Sequence, residues 1–411
     1  MGYILSRQLT SWLDAYCELT EEFEPPTVFN KWVGLVILSV AAGRKICLPE
    51  ANSAIYPNLY VVLSGPSGSG KTSAMREGLP FILQTGVPIS PTKITAASLI
   101  QDIASYSVVN PDNLAYTSYL IWSEEFPAFL GTQAYETGLI ADLTTLYDCA
   151  PFPIRKKTKT QGSDTIPNPY VCLLAGATPQ GIFDVLPPGT ICQGFTSRLM
   201  FPNSSYSGKP VPEKIWGDKQ QRLFNLLISD LKQIMALKGP MQISAITKTL
   251  WKDYYNLGRK DLELIDSRIQ GYASRKPFYV KKLMILLSLA ESDKMIIEAQ
   301  HLEKAIALLD ELDPCMTEVY LQISPSVVIN AYPKIVAALK RAPGNILDRS
   351  ALMRRFSYTL DGEQFEKALK NLELQELIVA EPRVDKKTNR VKKYYRLTLR
   401  GMTYYDTVEH N

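Results

Sequence analysis

The sequence predicts a mixed α/β protein built around a parallel β-sheet. Three short segments are apolar throughout and are predicted to be strands: Tyr60–Ser64, Tyr119–Ser123 and Tyr170–Gly176. Strands that are apolar on both faces are typical of a parallel sheet covered by helices on both sides. Helices are predicted between them, at Thr72–Gln84 and around Glu136–Tyr147. With 411 residues, the chain is long enough for two or three domains of ordinary size.

Further helical segments flank these strands. Residues 8–45 carry apolar residues at helical spacing, and residues 213–320 are predicted to be wholly helical. Residues 320–330 lose this period and are predicted to be a linker. Residues 331–411 then show three helices and two strands joined by the polar turn VDKKTNR, an order that predicts a winged-helix domain. The predicted domains are an N-terminal helical segment (1–55), an α/β core (56–212), a helical lid (213–320) and a winged helix (326–411).

The composition excludes several classes of protein. Hydrophobic residues make up 46% of the chain and charged residues 21%, as in folded soluble proteins. The longest apolar run, Trp32–Ala42, is too short to span a membrane and is predicted to be a buried helix. The N-terminus lacks the pattern of an export signal, so a cytoplasmic location without membrane contact is expected. Six cysteines without a CxxC pair and only two histidines argue against structural zinc and against a histidine-based triad.

A glycine-rich motif follows the first predicted strand. Residues 65–72, GPSGSGKT, match GxxxxGK[ST] and lie between a strand and a helix, as a phosphate-binding P-loop requires. Glycines let the backbone N–H groups turn toward phosphates, and the start of the helix adds positive potential. The motif predicts ATP and Mg²⁺ as cofactors, with Lys71 on the β- and γ-phosphates and the Thr72 hydroxyl on the metal. The residues predicted to hold the nucleotide are Gly65, Pro66, Ser67, Gly68, Ser69, Gly70, Lys71 and Thr72. The alternative is a glycine-rich turn without a ligand.

Two carboxylates follow the second predicted strand. The segment YLIWSEEF places Glu124 and Glu125 directly after its apolar residues. In a P-loop enzyme, one acidic residue holds the metal and its water shell, and another group orients the attacking water. Glu124 is assigned to the first role and Glu125 to the second. The usual first residue is Asp, so the order of the two roles stays open, and an exposed acidic strand end is the alternative.

The order of these motifs resembles that of the AAA+ ATPases. Over roughly residues 25–310, the chain contains in this order a P-loop, an acidic strand end, a basic segment, the AGATP strand and the GFTSR segment. The pattern is most similar to helicase-like ATPases of phages and mobile elements, which resemble the minichromosome maintenance helicases. The resemblance implies an AAA+-like P-loop NTPase core with N-terminal helices, an all-helical lid and a C-terminal winged helix.

The resemblance also implies roles for three further residues. Thr178 matches the sensor-1 position, where a polar side chain contacts the γ-phosphate or the attacking water. Arg198 matches the arginine finger, which neutralises charge on the nucleotide of a neighbouring subunit and so implies a ring or filament. Lys281 matches the sensor-2 helix, although Lys282 or Arg275 could serve instead. The alternatives are that Thr178 belongs to a turn and that Arg198 pairs with a nearby carboxylate.

Two basic segments suggest nucleic acid as a partner. The first is a predicted β-hairpin whose turn is Gln-Gly-Ser. Its first strand segment carries four cations, which are Arg155, Lys156, Lys157 and Lys159. In the helicases that the chain resembles, a hairpin here enters the central channel and grips the DNA backbone; the alternative is a solvated basic loop. Residues 383–400 hold eight Lys or Arg against one Asp, whereas the predicted recognition helix, 361–376, is acidic. DNA binding through the wing and protein docking both remain open for this domain.

Together, these patterns predict an ATP-dependent DNA helicase or translocase in phage or mobile-element replication. It would act as an oligomeric ring, a hexamer, on single-stranded or forked DNA with other replication proteins. The second hypothesis is an ATP-switched helicase loader or transposition-type regulator without unwinding activity. A metabolic kinase is disfavoured, because it needs neither an arginine from a neighbour nor a winged helix.

Overall fold

The computed structural model shows a mixed α/β protein that divides into two units, residues 1–324 and residues 325–411. It describes residues 7–91, 94–109, 114–131, 134, 137–158, 162–186, 194–206, 208–213, 215–260, 269–323, 327–357, 360–384 and 391–402. None of the helices in these ranges combines the length and the apolar character needed to cross a bilayer.

The first unit contains helices α1–α11 and strands β1–β11. The helices are α1 (Trp12–Glu21), α2 (Thr27–Ala42), α3 (Lys71–Gln84), α4 (Ala96–Ser105), α5 (Phe126–Leu130), α6 (Leu139–Tyr147), α7 (Pro179–Val185), α8 (Asp218–Ala236), α9 (Ala245–Lys260), α10 (Gln270–Glu291) and α11 (Ala299–Ile323). The strands are β1 (Ile46–Glu50), β2 (Ser53–Ile55), β3 (Tyr60–Ser64), β4 (Val108–Val109), β5 (Ala115–Ser123), β6 (Ile154–Thr158), β7 (Gly162–Ile166), β8 (Pro169–Ala177), β9 (Gly239–Pro240), β10 (Gln242–Ile243) and β11 (Ile296–Ile297).

The central sheet has the strand order β3–β8–β5–β4. Strand β8 runs parallel to both β3 and β5 and is buried along its whole length, whereas β4 is antiparallel to β5. Single parallel bridges extend the sheet on both sides, from β3 to Met200 and Asn203 and from β5 to Ile89. The three predicted strands are therefore confirmed as parallel neighbours. Their carboxyl ends share one edge, so the residues that follow β3, β5 and β8 meet there.

The N-terminal helices belong to the core of the first unit. The apolar run Trp32–Ala42 is buried within α2, as predicted. Helix α2 contacts α1, α3, α8, α10 and β8. Its contact with α3 is so close that a Cβ atom at Gly78 would lie 2.4 Å from Val33 Cγ1. One hydrophobic cluster runs from Trp12 to Tyr320, so the segments predicted as three separate domains up to residue 320 share one core.

Residues 213–320 are not wholly helical, contrary to the prediction. The connections between helices are extended and form short parallel pairs, β9 with β1 and β10 with β11. The pair of β9 and β1 joins this helical region to the N-terminal segment through Ile46–Gly239 and Cys47–Pro240. Strands of two residues carry no period that a sequence pattern could reveal.

The second unit is a small α/β arrangement with its own core. It contains α12 (Val327–Lys340), β12 (Ile346–Asp348), α13 (Arg349–Phe356), α14 (Gly362–Leu374), β13 (Ile378–Val384) and β14 (Val391–Leu397). The strands form an antiparallel sheet in the order β12–β14–β13, and β12 is an addition to the predicted elements. Residues 320–323 and 327–330 are helical, so these parts of the predicted linker are not irregular, and residues 324–326 lie outside the described ranges. Within the turn VDKKTNR, residues 385–390 lie outside the described ranges.

Candidate functional site

The loop of residues 65–70 connects β3 to α3 and follows a path that needs glycine. Gly68 and Gly70 have φ angles of 81° and 82°, in the left-handed region. A Cβ atom at Gly65 would lie 2.4 Å from the carbonyl oxygen of Ser204 and 2.7 Å from Ser69 Oγ. The crest of the loop, residues 66–68, is exposed, whereas Ser69 is buried. The loop is therefore a tight, fixed turn with an open crest.

Several backbone N–H groups of this loop are available to a ligand. In the described part of the chain, no acceptor is hydrogen-bonded to the N–H groups of Gly68, Gly70, Lys71 or Thr72. The first helical bond of α3 runs from Ala74 N to the carbonyl of Gly70, at 2.9 Å. Unpaired N–H groups at the start of a helix carry positive potential and bind anions such as phosphate.

Lys71 places a cation within the same loop. Its Nζ donates hydrogen bonds to the carbonyl oxygens of Gly65 and Pro66, at 2.8 and 2.7 Å, and to Ser69 Oγ at 3.2 Å. Burial lowers the pKa of Lys71, while the negative charge of Glu125 acts in the opposite direction. The lysine thus lies between the loop carbonyls and the acidic end of β5.

The two carboxylates after β5 have different surroundings. Glu124 is bound by Arg76 of α3, with Arg76 Nε 2.9 Å from Oε1 and a terminal nitrogen 2.8 Å from Oε2. The Glu125 side chain is exposed and makes no hydrogen bond or salt bridge with a described residue. Its backbone carbonyl starts α5 by accepting hydrogen bonds from Ala128 N and Phe129 N. Glu124 is therefore engaged by a cation, whereas the Glu125 carboxylate has no hydrogen-bonding partner in the part of the chain that the structure describes.

Gly176, near the end of β8, shows how closely these parts approach one another. A Cβ atom at Gly176 would lie 3.0 Å from the carbonyl oxygen of Glu124 and 3.7 Å from Lys71 Cβ. The edge of the sheet thus brings together the glycine-rich loop, Lys71 and the acidic segment. Arg76 is not among the residues predicted for the site, although its position one helical turn after Thr72 puts both side chains on one face of α3.

Thr178 follows β8 and lies beside the glycine-rich loop. The carbonyl of the preceding Ala177 accepts a hydrogen bond from Gly65 N at 3.3 Å. The Thr178 hydroxyl oxygen accepts one from Gly181 N at 3.0 Å and caps the start of α7. The turn role that the sequence left open is therefore present, and the hydroxyl proton has no acceptor among the residues that the structure describes.

Arg198 is held within its own chain. The residue is only 6% exposed, and its Nε and a terminal nitrogen lie 3.0 and 2.5 Å from the two carboxylate oxygens of Asp148. It also donates a hydrogen bond to the carbonyl of Gly194. Arg275 lies 4.0 Å from the same carboxylate. This is the ion pair that the sequence allowed as an alternative, and a role on a neighbouring subunit would require Arg198 to leave Asp148.

Neither lysine proposed for sensor 2 is hydrogen-bonded to the glycine-rich loop. Lys281 pairs with Glu50 of β1, and its Nζ lies 5.0 Å from the ring centroid of Trp251. Lys282 is buried and donates to the carbonyl and the side-chain oxygen of Asn58, at 2.8 and 2.5 Å. Burial lowers the pKa of Lys282 to about 8. The structure therefore does not bring Lys281 to the candidate site.

The predicted basic hairpin is confirmed as the antiparallel pair β6–β7. Its strands pair from Ile154–Ile166 to Thr158–Gly162, so Gly162 and Ser163 lie in the second strand and not in the turn. Arg155 is exposed and forms no ion pair with any residue that the structure describes, whereas Lys156 is bound to Asp142 of α6. The side chain of Lys157 and the whole of Lys159 lie outside the described ranges.

Acidic partners neutralise part of the basic surface in the second unit. Glu381 of β13 accepts hydrogen bonds from Arg383 at 2.8 Å and from Arg396 at 2.5 Å, and both lower its pKa. On α14, Glu366 is bound to Arg349. The formal excess of positive charge counted from the sequence therefore overstates the free charge of these strands.

No protein-family model matches the chain, and no curated protein matches it.

Proposed function

We propose that the protein is an ATPase whose AAA+-like P-loop core binds ATP at the carboxyl edge of the central sheet. The observation that carries this proposal is the convergence there of the Lys71 ammonium, two carboxylates and loop N–H groups that no described acceptor pairs. The N–H groups of Gly68, Gly70, Lys71 and Thr72 bind phosphate oxygens. Lys71 leaves the loop carbonyls and donates to the β- and γ-phosphates, since a phosphate offers it a full negative charge.

The residues at this edge also fit a Mg²⁺ ion. Magnesium prefers oxygen ligands and usually takes only one or two from the protein, keeping waters and phosphate oxygens for the rest. The Thr72 hydroxyl makes no hydrogen bond within the described ranges, and the Glu124 carboxylate is its acidic counterpart. When bound, the metal neutralises charge that develops on the phosphates.

Glu125 then orients the water that attacks the γ-phosphate. Its carboxylate is exposed and unpaired among the described residues, so it can accept a hydrogen bond from that water without breaking another contact. Thr178 donates its remaining hydroxyl proton to the γ-phosphate or the water. This assignment gives Glu124 and Glu125 different roles, in the order that the sequence suggested.

Nucleotide binding and turnover test the ATPase proposal. Lys71→Ala should abolish binding of a fluorescent ATP analogue, and Glu125→Gln should retain binding but lose most turnover. Lys281→Ala is the matched control, because that lysine pairs with Glu50 and should leave binding unchanged. Unaltered binding by Lys71→Ala would contradict the proposal.

We further propose that ATP turnover drives a ring of subunits, a hexamer, along DNA during cytoplasmic replication of a phage or mobile element. The resemblance to helicase-like AAA+ ATPases supports this, together with the confirmed hairpin and its exposed Arg155. The second unit, with three helices and a β-ribbon, would serve as a winged helix. Strand displacement on forked DNA should fall when Lys156, Lys157 and Lys159 are changed to Ala, and unaffected displacement would contradict a hairpin that grips DNA.

The second candidate is an ATP-switched loader or transposition-type regulator. The observation that favours it is that Arg198 and Lys156 are both engaged by carboxylates of their own chain. A subunit in this state does not present either cation to a neighbour or to DNA. DNA-stimulated ATP turnover without strand separation would select this candidate over the helicase.

A further inference from the structure

We propose that Arg76 is a positioning residue that holds Glu124 before nucleotide binds and that must release it when Mg²⁺ is bound. This inference rests on the proposed ATPase function. Both oxygens of Glu124 are engaged, by Arg76 Nε at 2.9 Å and by a terminal nitrogen at 2.8 Å. A two-point contact of this kind fixes the plane and the direction of a carboxylate.

The position of Arg76 in α3 places its contact with Glu124 on the helix face that carries Thr72, the other residue assigned to Mg²⁺. Arg76 follows Thr72 by one helical turn, so the guanidinium and the hydroxyl lie on the same face of the helix. Glu124 reaches this face from the end of β5, and its backbone carbonyl is adjacent to Gly176 of β8. The arginine therefore binds the carboxylate that is assigned to Mg²⁺ and not the one that is assigned to the attacking water.

Electrostatic repulsion determines whether Arg76 raises or lowers the affinity for Mg²⁺. A guanidinium and a divalent cation repel each other, and both compete for the same carboxylate. The side chains of Arg76 and Glu124 are 65% and 35% exposed. An exposed ion pair is weak enough for the metal to displace, so the contact lowers Mg²⁺ affinity without blocking the site.

Nucleotide binding with the metal differs from binding without it in whether the contact between Arg76 and Glu124 is broken. Without Mg²⁺, ATP contacts the loop N–H groups and Lys71 while Arg76 stays on Glu124. With Mg²⁺, binding includes the cost of breaking that contact. The ratio of the two dissociation constants for ATP therefore reports on the contact. Because metal-free ATP is more negative than Mg-ATP, removing the charge of Arg76 also changes this ratio directly, and a charge-preserving variant and a Glu124→Gln background separate the two effects.

The test measures binding of a fluorescent ATP analogue in EDTA and in Mg²⁺ by equilibrium titration. Arg76→Gln should raise the ratio of the dissociation constant in EDTA to that in Mg²⁺ by about two- to fivefold. Arg76→Lys, which keeps the charge but loses the two-point contact, should give a smaller rise. In a Glu124→Gln background, Arg76→Gln should add no further change, because the competed carboxylate is gone.

Arg349→Gln is the matched control, since Arg349 forms a similarly exposed pair with Glu366 in the second unit. It should leave the ratio unchanged. An unchanged or lower ratio in Arg76→Gln would overturn the inference, and a lower one would show that Arg76 orients Glu124 for the metal. Wild-type protein that binds no ATP, or Lys71→Ala that binds it normally, would overturn the ATPase proposal and this inference with it.

Discussion

The buried Lys282 gives a stability prediction whose size follows from its surroundings. This side chain is 2% exposed, donates two hydrogen bonds to Asn58 and lies 4.3 Å from the ring centroid of Tyr147. Burial lowers its pKa from 10.5 to about 8. The charged form is therefore less stable in the folded protein than in the unfolded chain, and this penalty depends on pH.

The sign and the size of the pH dependence follow from the two pKa values. Below about pH 8 both states carry the proton, and the folded state bears the full penalty of about 3 kcal/mol. As the pH rises from about 8 to 10.5, the folded state loses the proton first and the penalty disappears. The stability of wild type relative to Lys282→Met should thus increase by roughly 2.5 kcal/mol between about pH 7 and pH 10.

Urea unfolding followed by tryptophan fluorescence at both pH values measures this difference. All five tryptophans lie in residues 12–251, so the signal reports on the first unit only. Burial raises the pKa of tyrosines such as Tyr60, so their ionisation in the unfolded chain also lowers stability at high pH, but this effect is common to both proteins and cancels. Lys248→Met, at an exposed lysine of α9, is the control and should show no such trend. If the difference in unfolding free energy between wild type and Lys282→Met is the same at both pH values, the reasoning is refuted.

Two further predictions concern packing and the N-terminal segment. Gly78→Ala should destabilise the first unit by about 1–3 kcal/mol, because its Cβ would lie 2.4 Å from a side-chain carbon of Val33. Gly258→Ala is the control, because no atom lies within 4 Å of its new Cβ in α9, and it should stabilise by about 0.5–1 kcal/mol. Equal changes in the unfolding free energy of the two variants, measured in urea, would contradict this. Asp230→Ala should cost about 1.5–3 kcal/mol, since this buried carboxylate accepts hydrogen bonds from the backbone of residues 8–9. Hydrogen exchange at those two amides should accelerate, and unchanged exchange would exclude Asp230 as their anchor.

Local patterns predicted the elements of the central sheet well. Strand β3 begins and ends where the sequence placed it, because its apolar run is bounded by the glycine-rich loop. Strand β8 extends one residue beyond its predicted bounds at each end, and helix α3 begins one residue earlier than predicted. A continuous apolar run and a motif with fixed spacing are local properties, so a single sequence reveals them.

Partners that lie far apart in the chain could not be predicted in the same way. Lys281 binds Glu50, which is 231 residues away, and Arg198 binds Asp148, 50 residues away. The sequence marked these cations as notable, but nothing in their spacing identified a carboxylate. The same applies to Arg76 and Glu124, where two different elements meet at the sheet edge. Which charges neutralise one another depends on the packing of elements, and the motif order does not encode it.

The strand order of the central sheet has a consequence for synthesis on the ribosome. Strand β8 lies between β3 and β5, yet it is translated after both of them. The described neighbours of β3, which are β8 and residues 200–203, all emerge much later than β3 itself. A nascent chain that ends before β8 therefore carries an apolar strand with two unpaired edges, the kind of intermediate that aggregates or recruits chaperones. Ribosome stalling between the synthesis of β3 and that of β8 should be more damaging to this protein than stalling after residue 203.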